Sequence, residues 1–177
     1  ELRVEQQPQR RYPDNGSLAH VLGYVGEISP EQLKQQAAKD KGLKPGDVIG
    51  LSGIEQIYDD YLRGRDGYRE VVVDSRGRIQ DELETVPPIP GRDLVTTIDL
   101  DLQNAAEDKL SNSATKRGVI IAMDPNNGEI LALASAPSFD PNLFSQRITS
   151  KEGRAEYAAL LNDPETPLLN RAIQSRY

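Results

Sequence analysis

The sequence contains no cysteine, which removes cysteine-ligated metal sites and thiol catalysis and leaves the compartment open. It has one histidine, His20, so a serine–histidine–aspartate relay would have to use that residue. It also lacks an excess of positive charge: 21 Lys and Arg stand against 28 Asp and Glu, for a formal net charge of −7. Nucleic-acid binders displace counterions with a basic surface, so no nucleic-acid partner is expected. No apolar run approaches the ~20 residues of a membrane helix. No signal peptide heads the chain, which opens on Glu1 rather than Met. The chain reads as an excised segment, so the missing anchor is no argument against membrane attachment of the native protein.

What is present points to a loop-rich α+β protein. Of 177 residues, 37% are hydrophobic, and 14 glycines and 12 prolines break the chain often. Leu2–Glu5 fits a short strand, and Asn15-Gly16 is a turn signal. Ser29-Pro30-Glu31-Gln32 predicts a helix with a capping serine, a proline at the first position and Gln at the third; Leu33 and Ala37 share its face and Gly42 ends it. The glycines between Gly42 and Gly53 lack the Gly-Lys-Ser/Thr ending of a phosphate loop and read as a turn. A second helix is expected from Ser52, with Glu55 completing a capping box. Ile54, Ile57, Tyr58, Tyr61 and Leu62 form its apolar stripe, and Gly64 is its stop. Tyr68–Asp74, a turn at Ser75-Arg76-Gly77 and Arg78–Glu84 predict a hairpin. Pro87-Pro88-Ile89-Pro90-Gly91 is stiff and is taken as the domain boundary.

Beyond it, residues 93–98 read as a strand and Asp99 as a helix N-cap. Leu102, Ala105, Ala106 and Leu110 then form one helix face. Gly118–Met123 and Glu129–Ser135 predict a second, more apolar hairpin, of the kind found in a sheet covered on both faces. Pro137–Pro141 leaves the sheet as a loop, and Arg154–Leu161 reads as a helix.

Several residues could carry chemistry. Ser113-Ala114-Thr115-Lys116 fits Ser-x-x-Lys, in which a helix would put amine and hydroxyl on one face. The companion Ser-x-Asn and Lys-Thr-Gly elements are missing, so this tetrapeptide reads as a polar connector. His20 could act as a base, but no hydrolase serine accompanies it and a surface or capping role is expected. Carboxylates gather at Asp59 and Asp60, at Asp81, Glu82 and Glu84, and at Asp99 with Asp101. Neighbours on a strand point to opposite faces, Asp99 is explained as a cap, and no calcium-loop spacing occurs. Tyr58, Tyr61 and Tyr68 could stack on a sugar, though helical spacing favours packing. Arg63, Arg65 and Arg69 sit among acids, which makes a mixed surface. No metal site, cofactor site or self-contained catalytic group is expected.

Three stretches resemble the class B penicillin-binding proteins. The first is His20–Ile28, continuing through Gly50-Leu51-Ser52-Gly53-Ile54-Glu55 and Tyr61-Leu62-Arg63-Gly64. The second is Pro90-Gly91-Arg92-Asp93-Leu94 with Thr97-Ile98-Asp99 and Leu102-Gln103. The third is Ala122-Met123-Asp124-Pro125, Gly128–Ser135 and Pro137–Asn142, followed by Asn170-Arg171-Ala172. The run from Gly50 to Leu62 and the Pro-Gly-x-Asp-Leu linker are most similar to the elongation enzymes of that family, with the septal enzymes also similar.

The resemblance implies a non-catalytic pedestal over residues 1–88. From residue 91 to 177 it implies the first helix and first two sheet strands of an incomplete transpeptidase domain. The implied reaction is acyl transfer through a serine acyl-enzyme, with the nucleophile just after Tyr177 and no metal or cofactor. The implied partners are peptidoglycan stem peptides and β-lactams, a rod-shape scaffold protein, and a polytopic SEDS-type glycosyltransferase. The implied location is the extracytoplasmic face of the bacterial inner membrane, reached through an N-terminal helix absent here. Two other readings remain open at this point: a protein-interaction module, and a non-catalytic β-lactam sensor.

Overall fold

In the computed structural model, residues 9–13, 16–35, 41–145 and 151–175 are described. The expected strand at Leu2–Glu5, Asn15 of the turn signal and Ala37 of the first helix lie outside them. The chain forms two compact units, residues 1–57 with 96–177, and residues 58–95.

The larger unit is built on a hairpin and the helix against it. Strands β5 (Gly118–Met123) and β6 (Ile130–Ala136) pair antiparallel, with Ile121 opposite Leu133 and one register shift near Met123. Helix α5 (Leu100–Ser111) begins where expected, because the Asp99 carboxylate accepts from Leu102 N at 3.0 Å. Ala106 and Leu110 pack on Ala134, with Ile120 and Ala136 beside them. The buried face of α5 is Gln103, Ala106 and Leu110, whereas Leu102 is 40% exposed and Ala105 is also exposed. The stripe is therefore rotated from the one predicted, and its first member is polar.

That polar residue closes the sheet edge. Gln103 is fully buried. Its Oε1 accepts from Leu133 N at 2.7 Å, and its Nε2 donates to Leu133 O at 3.2 Å. One side-chain amide thus supplies both hydrogen bonds that a neighbouring strand would have given Leu133. Residues 93–98, expected as a strand, form none. Thr97 and Asp99 still lie beside β6, since Asp99 N donates to Leu131 O at 2.8 Å and Thr97 Oγ1 donates to Ile130 O at 2.7 Å. Helix α5 covers one face of the hairpin, and the short helix Arg171–Gln174 packs on both strands from the side of the buried Ser135, so the second face is covered in part: Ile121 and Met123 stay 49% and 57% exposed.

A second cluster gathers aromatics from distant segments. Both phenylalanines of the sequence belong to it. Tyr24 stacks on Phe144 at 3.8 Å between centroids, and Phe139 and Tyr157 meet Phe144 edge-on at 5.8 and 5.5 Å. Phe144 comes from α6 (Asn142–Ser145) and Tyr157 from α7 (Lys151–Leu161). The first segments of the chain pack here too. Helix α1 (Ala19–Leu22) precedes strand β1 (Val25–Glu27), which pairs with β2 (Val48–Gly50). Strand β2 lies within the glycine-containing stretch read as a turn. Helix α2 (Pro30–Leu33) carries the predicted Ser29–Gln32 capping box. Helix α3 (Gly53–Ile57) approaches α1 backbone to backbone: a Cβ on Gly53 would lie 2.6 Å from Gly23 N, and Gly53 has φ +58°. Only glycine fits.

The smaller unit holds α4 (Asp59–Leu62) and the hairpin of β3 (Tyr68–Val73) and β4 (Ile79–Val86), with two bulges. The single helix predicted from Ser52 is interrupted at Tyr58, whose φ and ψ are −107° and 20°. Its apolar stripe is not a core face: Ile57 is 76% exposed and Tyr58 44%. Asp74 sets the hairpin turn by accepting from Arg76 N at 2.8 Å and Arg78 N at 2.9 Å. These backbone donors hold its carboxyl below the usual range. The proline-rich stretch is tied in, as Arg65 N donates to Ile89 O at 2.8 Å and Ile89 N to Arg65 O at 2.9 Å.

Replacing Gln103 with Leu keeps the volume but strips both partners from Leu133. An unsatisfied buried peptide group costs about 1–3 kcal/mol. Gln103→Leu should therefore lower Tm by roughly 5–15 °C, read by thermal denaturation; an unchanged Tm would show that the edge is closed by other means.

Candidate functional site

The densest set of long-range polar contacts lies where the first described segment crosses the last. It starts from a buried carboxylate. Glu55 of α3 is 7% exposed and is held by Arg10, with Nε to Oε1 at 2.7 Å and Nη2 to Oε2 at 3.1 Å. Two residues on, the Tyr12 hydroxyl accepts from Val25 N at 2.8 Å, and Tyr12 N donates to Asn142 Oδ1 at 2.9 Å. Burial, then the Glu55 charge, pushes the Tyr12 phenol well above its ordinary range. Further along, Leu18 N donates to Glu107 Oε1 at 3.0 Å. The same oxygen accepts from Gln103 Nε2 at 2.7 Å. Leu18 itself has φ 60°, a left-handed conformation that non-glycine residues seldom adopt. Residues 10–13 and 16–25 form a strap across α5, α6 and the loop after α7.

That loop, residues 162–170, is wrapped around one cation. Arg171 opens helix α8 (Arg171–Gln174) and is 4% exposed. Its guanidinium donates to the carbonyls of Glu165, Thr166 (3.2 Å) and Leu169 (3.4 Å) and to Thr166 Oγ1 (3.0 Å). Its backbone N donates to Ser135 Oγ on β6 at 3.1 Å. Asn170 caps α8 through Oδ1 to Ala172 N at 3.1 Å and gives its Nδ2 to His20 O at 3.3 Å. His20 Nε2 lies 2.8 Å from Pro167 O, so that nitrogen carries the proton and donates. The ring meets Phe139 edge-on at 5.3 Å.

His20 is thus not at the surface, and its Nε2 is committed to the Pro167 carbonyl. It is a partly buried strut between strap and loop. Burial, with the Arg171 charge, pushes its pKa down, against the Pro167 carbonyl and Glu107.

The Ser-x-x-Lys tetrapeptide is not helical. Ser113 Oγ donates to Leu110 O at 2.7 Å and accepts from the backbone N of Lys116 at 3.1 Å, while Lys116 has φ 50°. The serine meets the backbone of that lysine, in a turn that ends α5. The carboxylates are not brought together. Asp59 and Asp60 face Arg63 at 3.4 and 3.8 Å. Glu82 faces Arg69 at 3.7 Å, Glu84 accepts from Tyr68 Oη at 3.0 Å, and Asp81 lies exposed. Asp99 is the cap of α5, and Asp101 is exposed in its first turn. Tyr58, Tyr61 and Tyr68 are 44%, 39% and 56% exposed, so none of them is a core residue. Arg92 lies over the Tyr61 ring at 5.5 Å. No metal-binding cluster forms among the described residues.

Gln103, Glu107, Arg10 with Glu55, and Arg171 were missed as a set. Gln103 carried a usable signal, because it lies three and seven residues before Ala106 and Leu110 on one helix face. The Arg171 cage was not legible from spacing, since three of its four acceptors are main-chain carbonyls.

The comparisons with known proteins agree on two regions. Residues 1–96 match the family model of the penicillin-binding protein dimerisation domain, and residues 118–177 match that of the penicillin-binding protein transpeptidase domain. The peptidoglycan D,D-transpeptidase MrdA of Escherichia coli K12 is 43% identical over 178 residues, covering 99% of this chain and 27% of the relative. A solved chain from a peptidoglycan synthase complex that coordinates polymerization and crosslinking is 40% identical with a TM-score of 0.72, covering 93% of this chain and 29% of that one. Penicillin-binding protein 2 in its complex with MreC from Helicobacter pylori is 37% identical with a TM-score of 0.70, covering 92% and 28%. The chain therefore spans about a quarter of the length of the curated relatives it matches.

A histidine whose folded pKa is depressed favours the fold when neutral. Its contribution is complete above the unfolded value of 6.5 and is lost as pH falls from there through the folded value. Thermal denaturation from neutral to mildly acidic pH should show Tm falling below pH 6.5, with a shallower fall in His20→Gln; equal slopes would remove His20 as the cause.

Proposed function

Because this chain belongs to the penicillin-binding proteins that carry a dimerisation domain ahead of a transpeptidase domain, we propose that the whole protein is a peptidoglycan D,D-transpeptidase of the elongation type. The observation that carries this is the order of the two family matches on one chain, with 43% identity to a D,D-transpeptidase running through 99% of it. Residues 1–88 serve as the pedestal and residues 91–177 as the start of the catalytic domain.

In this reading a serine beyond Tyr177 attacks the carbonyl of the D-Ala-D-Ala amide of one stem peptide. The acyl–serine ester forms, the C–N bond breaks, and the terminal D-alanine leaves as its amine takes up the proton. An amine of a second stem then attacks the ester, making the crosslink and freeing the serine. β-Lactams acylate the same oxygen. The reaction calls for no metal or cofactor. The enzyme works at the extracytoplasmic face of the inner membrane, held by an N-terminal helix. No helix among the described residues is long and apolar enough to cross a membrane. The contribution of residues 1–177 is support: Ser113 is committed to the turn after α5, and His20 to the Pro167 carbonyl.

A docking role accompanies this one and is favoured by a specific observation. The β3–β4 hairpin exposes Val73, Ile79 and Leu83 at 52%, 50% and 59%, more apolar surface than an isolated two-stranded ribbon needs. Relatives are found with MreC and in a peptidoglycan synthase complex. The partners proposed here are a rod-shape scaffold protein and a SEDS-type glycosyltransferase.

Labelling of the full-length protein with fluorescent penicillin, followed by peptide mapping, should place the acyl group on a serine shortly beyond Tyr177, and Ser113→Ala should not change it. A label on Ser113 would overturn the assignment, as would no label. Ile79→Ser with Leu83→Ser should abolish capture of the full-length protein by the scaffold's extracytoplasmic domain while penicillin labelling persists; undiminished capture would take the hairpin out of the interface.

A further inference from the structure

A buried guanidinium normally meets a carboxylate. Arg171 instead sits at 4% exposure with neutral oxygens of a single loop around it. Such a cage is a poor device for stability alone, since an apolar side chain of similar volume avoids the cost of desolvating the charge. What a guanidinium adds is direction, because its donors form a rigid planar fork. The loop is bent to suit it. Thr166 has φ 46°, a conformation costly for a β-branched residue, and it gives both its carbonyl and its hydroxyl oxygen to the guanidinium.

The start of α8 is held from two further directions. The sheet holds it through Ser135 Oγ, 3.1 Å from Arg171 N. The strap holds it through the His20 carbonyl, 3.3 Å from Asn170 Nδ2. The loop is itself braced by His20 Nε2, 2.8 Å from Pro167 O. Strap, loop, strand and helix are therefore fixed to one another at two adjacent residues. Over-determination of this kind is what keeps a reacting group within a fraction of an ångström of its working position.

We propose that Asn170 and Arg171 are positioning residues for acylation. They fix the origin and direction of α8, and with it the segment beyond Tyr177 in which the reading above puts the nucleophile; the inference rests on that reading. The strap is the second half of the clasp, so a displacement of residues 18–20 reaches α8 through the His20–Asn170 bond.

The test uses the full-length enzyme and fluorescent penicillin, with the acylation rate constant and the half-saturating concentration measured separately and Tm recorded for each variant. Arg171→Lys keeps the charge but replaces the fork with one ammonium. Asn170→Ser keeps an N-cap oxygen for Ala172 N and removes only the amide donor to His20. Leu110→Ala is the control: it removes core packing between α5 and Ala134 and leaves the hydrogen bonds of Asn170, Arg171 and His20 in place. The rate constant should fall by about tenfold to a hundredfold in Arg171→Lys and by a smaller factor in Asn170→Ser, as expected for a displaced reacting group. The half-saturating concentration should stay put, and Leu110→Ala should lose Tm without losing rate. Wild-type rates in the folded fraction of both clasp variants would overturn the proposal. So would rate losses that track Tm and are matched by Leu110→Ala, which would reduce the clasp to a structural role. If Arg171→Lys does not fold, Asn170→Ser decides by the same criteria. A wild-type enzyme that takes no label overturns the transpeptidase reading, and the proposal falls with it; a labelled wild type with unaffected variants overturns the proposal alone.

Discussion

A strand with no neighbour on its outer side must still find partners for the peptide groups that point that way. In the larger unit β6 meets this demand with the amide of Gln103 on both the N–H and C=O of Leu133, and with the backbone of Asp99 on Leu131 O. The consequences spread from there. Gln103 can reach Leu133 only if α5 lies against β6, which brings Ala106 and Leu110 onto Ala134. Its remaining donor hydrogen holds Glu107, and Glu107 in turn fixes Leu18 in the strap. A sheet edge, a helix face and the path of the first segment thus follow from one buried polar side chain.

The second organising feature is the aromatic cluster, which does for packing what Gln103 does for hydrogen bonding. Tyr24, Phe139 with Phe144, and Tyr157 come from three separate stretches. Burial of each large ring is worth on the order of 2 kcal/mol or more, and edge-on and offset contacts add specificity. The cluster lies beside His20, so the strap is pinned to the same ground that carries the loop around Arg171. Among the described residues of this unit, Glu55, Glu107, Asn170 and Arg171 spend their polar groups on holding segments to one another.

Local chemistry accounts for what could be read in advance. The Ser29–Gln32 box, the Asp99 cap and both hairpins depend on neighbours within a few residues, and each stands close to where it was expected. The errors share a cause as well. Residues 93–98 had the composition of a strand, but their hydrogen bonds are made by one hydroxyl and one peptide N–H rather than by a ladder. The stripe from Ile54 to Leu62 had helical spacing, yet spacing does not say whether anything lies opposite, and the helix breaks at Tyr58. His20 was expected at the surface or as a cap because its partner, the Pro167 carbonyl, is 147 residues away.

The sequence by itself determined the α+β class, the caps and turns, the absence of a thiol or metal chemistry built on cysteine, and, through long strings such as Gly128–Ser135, the resemblance to a family. These are properties of neighbours in the chain or of whole words in it. Tertiary structure alone decided that Gln103 would serve as a strand edge, that Glu55 would be buried against Arg10 rather than cap a helix, and that Arg171 would be enclosed by carbonyl oxygens. The physical reason is the same for all three. Their partners are either main-chain atoms, which every residue possesses and which leave no mark in the sequence, or side chains tens of residues away, whose meeting depends on how the whole chain has packed.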